Sequence, residues 1–188
     1  MKFIHLAAAA AISVAPLPAF AEWTLDKSHA SIFFDVEHLG FSTVTGTFEE
    51  FDANITFDPE DLAATEVAVT IAADSVNTFF EARDEHVKNA DFLDVANHPE
   101  ITFVSTGIEM TGDNTAELTG DVTIKGTTNS ETFDVVMNQV GENPFNPEQQ
   151  VAGFTITGDI DRTDYGIDFG APVIGAVLPV TINIELNN

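Results

Sequence analysis

Apolar and polar residues alternate along much of this chain, and this period of two is the feature that most limits its fold. Between residues 117 and 125, Leu118, Val122 and Ile124 alternate with polar side chains. Such a period places one set of side chains on one face of a β-strand. Similar runs lie at residues 32–38, 43–48, 67–71, 101–103, 133–137, 154–161 and 180–186. The sequence therefore predicts an all-β domain of eight or nine strands, and turn residues between them favour an antiparallel barrel or sandwich.

Residues 78–94 lack the alternation. Helix formers follow Thr78, Glu81 stands three residues after it in a capping-box pattern, and His98-Pro99 ends the segment. We expect a short helix that covers one mouth of the barrel or lies along its side.

Three glycines fall inside predicted strands, at Gly46, Gly120 and Gly158. Glycine weakens a strand, so its presence there marks a sharp bend or a place where another group lies close to the backbone.

The first 21 residues have the pattern of a secretory signal peptide. Met1 and Lys2 precede the apolar run 3–14, and Ala19-Phe20-Ala21 forms a small-residue cleavage site. The run has about 12 residues, whereas a membrane span needs roughly 20. We expect an exported protein that is cut before Glu22, is not embedded in a membrane and has one domain at residues 22–188.

Charge and composition exclude several kinds of function. The chain has 6 Lys and Arg against 31 Asp and Glu, a formal net charge of −25. Nucleic-acid binding depends on cations that neutralise phosphates, so it is excluded, and anionic membrane surfaces are disfavoured. The absence of cysteine removes disulfides, thiolate metal sites and cysteine nucleophiles. The acidic character is typical of solubility or of adaptation to salty surroundings.

Catalytic and metal-binding signatures are also missing. The sequence has no G-x-S-x-G, H-E-x-x-H, P-loop or G-x-G-x-x-G motif. The acidic series from Asp159 to Asp168 departs from the calcium-loop template, because Thr163 and Gly170 stand at ligand positions. We therefore predict no catalytic residue, no metal and no cofactor. The 16 Phe residues are more informative, since they either fill a core or line an apolar tunnel.

Nine blocks, in their order and spacing, resemble the YceI-like family of periplasmic, polyisoprenoid-binding, lipocalin-like proteins. They are residues 23–29 (WTLDKSH), 34–40 (FDVEHLG), 44–48 (VTGTF), 57–59 (FDP), 83–86 (RDEH), 91–95 (DFLDV), 98–103 (HPEITF), 118–128 (LTGDVTIKGTT) and 162–166 (RTDYG). The chain departs from the family pattern at Leu93, where an aromatic residue is usual, and in the turn at residues 174–179.

This resemblance implies a single antiparallel eight-stranded barrel that encloses a long apolar ligand without catalysis. We interpret the protein as a periplasmic carrier or reservoir for an isoprenoid-type lipid, such as a quinone or a polyprenyl chain, and a homodimer is left open. The predicted tunnel residues are Phe34, Val36, Phe48, Phe103, Phe154, Ile156 and Ile182, with Phe79, Phe80 and Phe92 at the mouth. The head-group candidates are Arg83, His86 and Arg162.

Two alternatives belong to other classes of function. A lipid-modifying enzyme would use His86 with Asp84 or Asp91, and a structural, stress-protective protein would have a filled core. For Arg83 and Arg162 the competing interpretation is an ion pair with Asp84, Asp164 or other acids.

Overall fold

The computed structural model describes residues 23–188, so the predicted signal peptide and its cleavage site lie outside the described residues. These residues form eleven antiparallel strands and one short α-helix. The strands are β1 (Thr24–Leu25), β2 (Ser31–His38), β3 (Ser42–Phe48), β4 (Phe51–Thr56), β5 (Glu66–Ala72), β6 (Val76–Asn77), β7 (Glu100–Met110), β8 (Thr115–Ile124), β9 (Thr127–Asn143), β10 (Asn146–Asp161) and β11 (Val177–Asn187). The helix α1 spans Glu81–Val87, and 3₁₀ turns lie at Lys27–His29, Leu62–Ala64, Ala73–Ser75 and Arg162–Tyr165.

The sheet wraps into a barrel because β3 and β4, which lie near opposite edges of the sheet, form one bent strand. Its order is β4-β5-β7-β8-β9-β10-β11-β2-β3-β6, with β1 on β11. Only Glu49 and Glu50 separate β3 from β4, so the chain passes from one edge region of the sheet to the other without a loop. When β3 and β4 count as one strand, eight long strands surround the core, and β1 and β6 add two residues each. The predicted antiparallel barrel is confirmed, although hydrogen bonds do not close it.

The helix begins later than the capping pattern predicts. Phe80 is the N-cap and makes no side-chain capping bond, while Phe79 has a φ of 64°. The backbone N–H and the hydroxyl of Thr78 instead donate to Asp84 Oδ1, at 2.7 and 2.5 Å. The prediction of Thr78 as N-cap is therefore wrong. Its hydroxyl donates to Asp84 and accepts from Arg83 Nε instead of from a backbone N–H of the first turn, and the N-cap lies two residues later.

The segment of α1 defines one end of the barrel, which we call the helix end. It comprises residues 36–44, 78–98, 124–127 and 162–176. Lys125 Nζ, in the β8–β9 turn, donates to the carbonyls of Ala90 and Gly166 at 2.9 and 3.4 Å. One side chain thus joins three of these segments. The opposite end contains the turns at residues 57–65, 111–114 and 144–145.

Candidate functional site

The barrel encloses an apolar cavity of about 520 Å³. Alternate residues of the strands face it, as the period of two requires. Strand β11 shows the pattern fully, contributing Leu178, Val180, Ile182, Ile184 and Leu186. From the first of these to the last, at about 3.3 Å per residue, the cavity extends roughly 26 Å along the strand. Its shape is that of a long tunnel.

Phenylalanine rings are fixed on the cavity wall by glycines of neighbouring strands. A Cβ added at Gly46 would lie 2.3 Å from the Phe34 ring, one at Gly120 would lie 2.3 Å from Phe103, and one at Gly158 would lie 2.5 Å from Phe133. Each ring therefore lies directly on glycine backbone. The prediction of close approach at the three strand glycines is confirmed, and each approaching group is an aromatic side chain of the wall.

Polar groups of the lining lie towards the two ends of the cavity. His38, Thr78, Arg83, His86 and Arg162 line it at the helix end, and Thr65, Asn114 and Thr115 line it at the opposite end. Between them the wall is aliphatic and aromatic except for Thr102, near the start of β7. A ligand with a long apolar body and a small polar head would match this distribution.

Arg83 is held by the loop that precedes α1. Its Nε donates to Thr78 Oγ1 at 2.7 Å and its Nη2 donates to the Thr78 carbonyl at 2.6 Å. The guanidinium carbon lies 5.8 Å from the centre of the Phe80 ring. Arg83 lines the cavity with part of its hydrogen-bonding capacity already used.

His86 lies where the cavity reaches the surface. Its Nε2 is 3.1 Å from Asp91 Oδ2, and its side chain is 42% exposed. The ring packs edge to face against Phe92 and Phe169, with ring centres 5.0 and 5.1 Å apart. Of the two predicted carboxylate partners the structure brings Asp91 to His86, while Asp84 bonds to Thr78.

Arg162 is buried and held by backbone carbonyls, although its side chain also lines the cavity. It is 4% exposed, and it donates from Nε to the Gly175 carbonyl at 2.8 Å, from Nη1 to Ile167 at 2.5 Å and from Nη2 to Ile174 at 2.8 Å. Burial lowers the pKa of its guanidinium, and the charges of Asp168 and Asp161 oppose this. The carbonyls of the 167–175 loop therefore take three of the five guanidinium N–H groups, in place of the predicted acidic partners.

A cluster of ionisable groups outside the cavity fixes the start of the domain. Asp26 accepts hydrogen bonds from Ser28 and Asn187, and His29 Nδ1 lies 2.9 Å from Asp26 and 3.6 Å from Glu185. The hydrogen bond with Asp26, followed by the charge of Glu185, raises the pKa of His29. Bonds from Ser28 and His29 lower the pKa of Asp26. The three groups lie close enough to share a metal ion, but the hydrogen bond between Asp26 and His29 and the 3.6 Å contact of His29 with Glu185 already account for this arrangement.

Eight of the ten predicted ligand-binding residues line the cavity: Phe34, Val36, Phe48, Phe92, Phe103, Phe154, Ile156 and Ile182. All three head-group candidates line it as well. Phe79 and Phe80 do not, since they are 68% and 60% exposed. Sequence reasoning missed Phe51, Phe57, Phe133 and Phe169, which also line the cavity. The alternation would have found Phe133 and, in the run 51–57 (FDANITF), Phe51 and Phe57, whereas Phe169 lies in a loop.

No helix within residues 23–188 is long and apolar enough to cross a membrane.

The chain is similar to proteins from several bacteria. A UPF0312 protein of Pseudomonas putida is 36% identical over 185 residues, 97% of this chain and 95% of that protein. The crystal structure of a Campylobacter jejuni YCEI protein matches with a TM-score of 0.73 at 29% identity, over 90% of this chain and 99% of that one. A polyisoprenoid binding domain from Saccharophagus degradans, implicated in plant cell wall breakdown, shares the fold with a TM-score of 0.65 at 14% identity, over 88% of this chain and 97% of that one.

The model of the YceI-like domain matches residues 23–186, nearly all of the described barrel. This protein therefore belongs to the YceI-like family.

Proposed function

We propose that this protein binds one long isoprenoid-type lipid in its barrel and serves as an exported, periplasmic carrier or reservoir. The observation that carries the proposal is the tunnel of about 520 Å³, which is mostly apolar along its length and has polar side chains towards its ends. Such a tunnel favours a ligand over the alternative of a filled, purely structural core. The polyisoprenoid-binding domain of Saccharophagus degradans supports the same class of ligand, because it shares the fold.

A neutral head group fits the helix end better than a phosphate. Arg162 is committed to three backbone carbonyls, and Arg83 is partly committed to Thr78. Lys88 Nζ lies 3.8 Å from Glu85. A pyrophosphate would therefore meet no ready cationic clamp, and it would approach a chain of net charge −25. A quinone-like head needs only one or two hydrogen-bond donors, which Arg83 or His86 supplies.

Calorimetric titration with a series of prenols of increasing length tests the proposal. Each buried methylene is worth about 0.8 kcal/mol, so affinity should rise by up to roughly fourfold per methylene until the tunnel is full. Affinity that is independent of chain length would contradict a tunnel. Steady conversion of the prenol to product would instead favour an enzyme that uses His86 and Asp91.

A pair of variants on β11 controls for folding. Ile182 faces the cavity, whereas its neighbour Thr181 is exposed on the outer face. In Ile182→Trp the tunnel should be full with a shorter prenol, so affinity should stop rising earlier in the series. Thr181→Trp should leave the series unchanged. Equal effects from both variants would place the ligand elsewhere.

Competition between head groups tests the preference for a neutral ligand. A ubiquinone analogue should displace a polyprenyl pyrophosphate of matched tail length at both low and moderate salt. Tighter binding of the pyrophosphate at low salt, lost in Arg83→Ala, would make Arg83 a phosphate ligand and overturn the preference.

A further inference from the structure

Exposed apolar side chains are concentrated at the helix end. Of the twelve large apolar side chains that are exposed in residues 23–188, six belong to its segments: Leu39, Phe41, Phe79, Phe80, Phe169 and Val173. We call these six residues the apolar rim. Phe41 is 89% exposed and follows the tip of the β2–β3 hairpin. Apolar side chains grouped in this way usually mark a binding surface.

Direct contacts join the hairpin and the loop of the apolar rim to α1, which continues back to Phe80. The Leu39 N–H donates to the Val173 carbonyl at 3.0 Å, which joins the hairpin to the 167–175 loop. In the same loop Phe169 packs against His86 of α1, and one turn earlier Arg83 lies over Phe80. The rim therefore forms an arc from the hairpin, across the loop, to the start of α1.

The inner side of this arc is the cavity wall. His38, His86, Phe169 and Ile174 all line the cavity, and Phe169 is also 46% exposed. Apolar surface thus continues from the rim into the tunnel. A hydrophobic molecule could pass from an apolar surface that covers the rim into the cavity with little exposure to water.

Charge is distributed so that this end is the least repulsive to a lipid surface. The segments of the helix end carry four Lys or Arg and eight Asp or Glu, whereas the rest of residues 23–188 carries one cation and 22 acids. A bilayer with neutral head groups adds no repulsion, and its interface favours aromatic side chains. An anionic bilayer would be repelled by the remaining acids.

We propose that the apolar rim docks on the surface of a phospholipid bilayer with neutral head groups, and that the cavity exchanges its lipid there. This inference rests on the proposed function. The rim side chains project from a hairpin, a loop and a helix start, so they suit shallow insertion into a soft surface at several points.

Tryptophan probes at the two ends test the docking. Phe145 is 99% exposed in the β9–β10 hairpin of the opposite end, which makes it a matched control for Phe41. Phe41→Trp and Phe145→Trp are mixed with phosphatidylcholine vesicles that carry brominated acyl chains, and Trp23 gives both the same background. Only Phe41→Trp should show additional quenching. Equal quenching of both probes, or of neither, would overturn the proposal.

Truncation of the same side chains measures the strength of docking. Phe41→Ser should lower partition into phosphatidylcholine vesicles roughly tenfold or more, the expected effect of losing one buried aromatic ring, while Phe145→Ser should not change it. Both variants should keep the affinity of the purified protein for a prenol in solution. Vesicles with added phosphatidylglycerol should bind no more tightly, and a large gain with them would contradict docking on a neutral surface.

The two proposals fail in different ways. A protein that binds prenol in solution but shows no vesicle quenching overturns the docking alone. Vesicle quenching without prenol binding overturns the proposed function and leaves the docking supported. A concentration-dependent dimer that is lost in Phe41→Ser, with no vesicle binding, would assign the rim to a second copy of the chain and overturn the membrane proposal.

Discussion

Replacement of Arg162 should cost far more stability than its position at a cavity wall suggests. Arg162→Met removes three hydrogen bonds to the carbonyls of Ile167, Ile174 and Gly175. A hydrogen bond to a charged group is worth about 1.5–3 kcal/mol, but the loop can open and return its carbonyls to water. We therefore expect a loss of about 3–5 kcal/mol, as for other disrupted buried ionic groups. For a domain of this size that corresponds to a fall in Tm of roughly 6–20 °C.

Urea unfolding followed by Trp23 fluorescence measures this loss. Arg162→Lys should be almost as destabilising, because one ammonium group lacks the planar fork that reaches three carbonyls. Lys27→Met is the control, since the Lys27–Asp52 pair is largely exposed and should contribute little to stability. A loss below about 1 kcal/mol in Arg162→Met, with the same urea dependence, would refute the assignment of Arg162 as a structural residue.

Three further predictions concern pH, salt and a strand glycine. The pKa of His29 is raised from its ordinary value of 6.5, so the protonated ring stabilises the fold. This stabilisation is fully present at pH values below 6.5 and should be lost as pH rises through the raised pKa. His29→Gln should flatten this slope in pH-dependent melting, and an unchanged slope would contradict it. Because acids outnumber cations 31 to 6, the calorimetric Tm should rise from low to moderate salt, and a constant or falling Tm would show that the acids do not repel. Gly120→Ala brings a Cβ within 2.6 Å of the Val104 carbonyl and should lower the free energy of unfolding in urea by about 1–3 kcal/mol. Gly107→Ala is the control, because nothing lies within 4 Å of a Cβ added there. Equal losses in the two variants would refute the packing argument.

The alternation predicted the barrel and much of its wall, because strand geometry converts sequence position directly into a face. Phe34, Phe103, Ile156 and Ile182 were therefore placed correctly on the cavity side. Phe79 lies outside this reasoning, because residues 78–94 lack the alternation and only the family resemblance predicted it at the mouth. Its backbone has a φ of 64°, so the regular strand geometry on which a face assignment depends is absent there.

The role of Arg162 could not be predicted from side-chain patterns. Its partners are backbone carbonyls 5 to 13 residues further along the chain. Every residue has such a carbonyl, so no sequence signal marks the ones that turn inward. Of the apolar rim, Phe79 and Phe80 were predicted at the mouth, whereas Leu39, Phe41, Phe169 and Val173 were missed. The sequence does not distinguish a Phe in a loop that enters the core from one that faces solvent, and the prediction assigned most Phe residues to the interior.

The central claim is that the tunnel holds one long apolar lipid. The most direct test is native mass spectrometry of the protein purified without detergent, followed by organic extraction and analysis of the extract. The account predicts one bound lipid per chain, with an isoprenoid-length tail and a neutral head. Ligand-free protein whose mass does not change on addition of prenols of any length would contradict it.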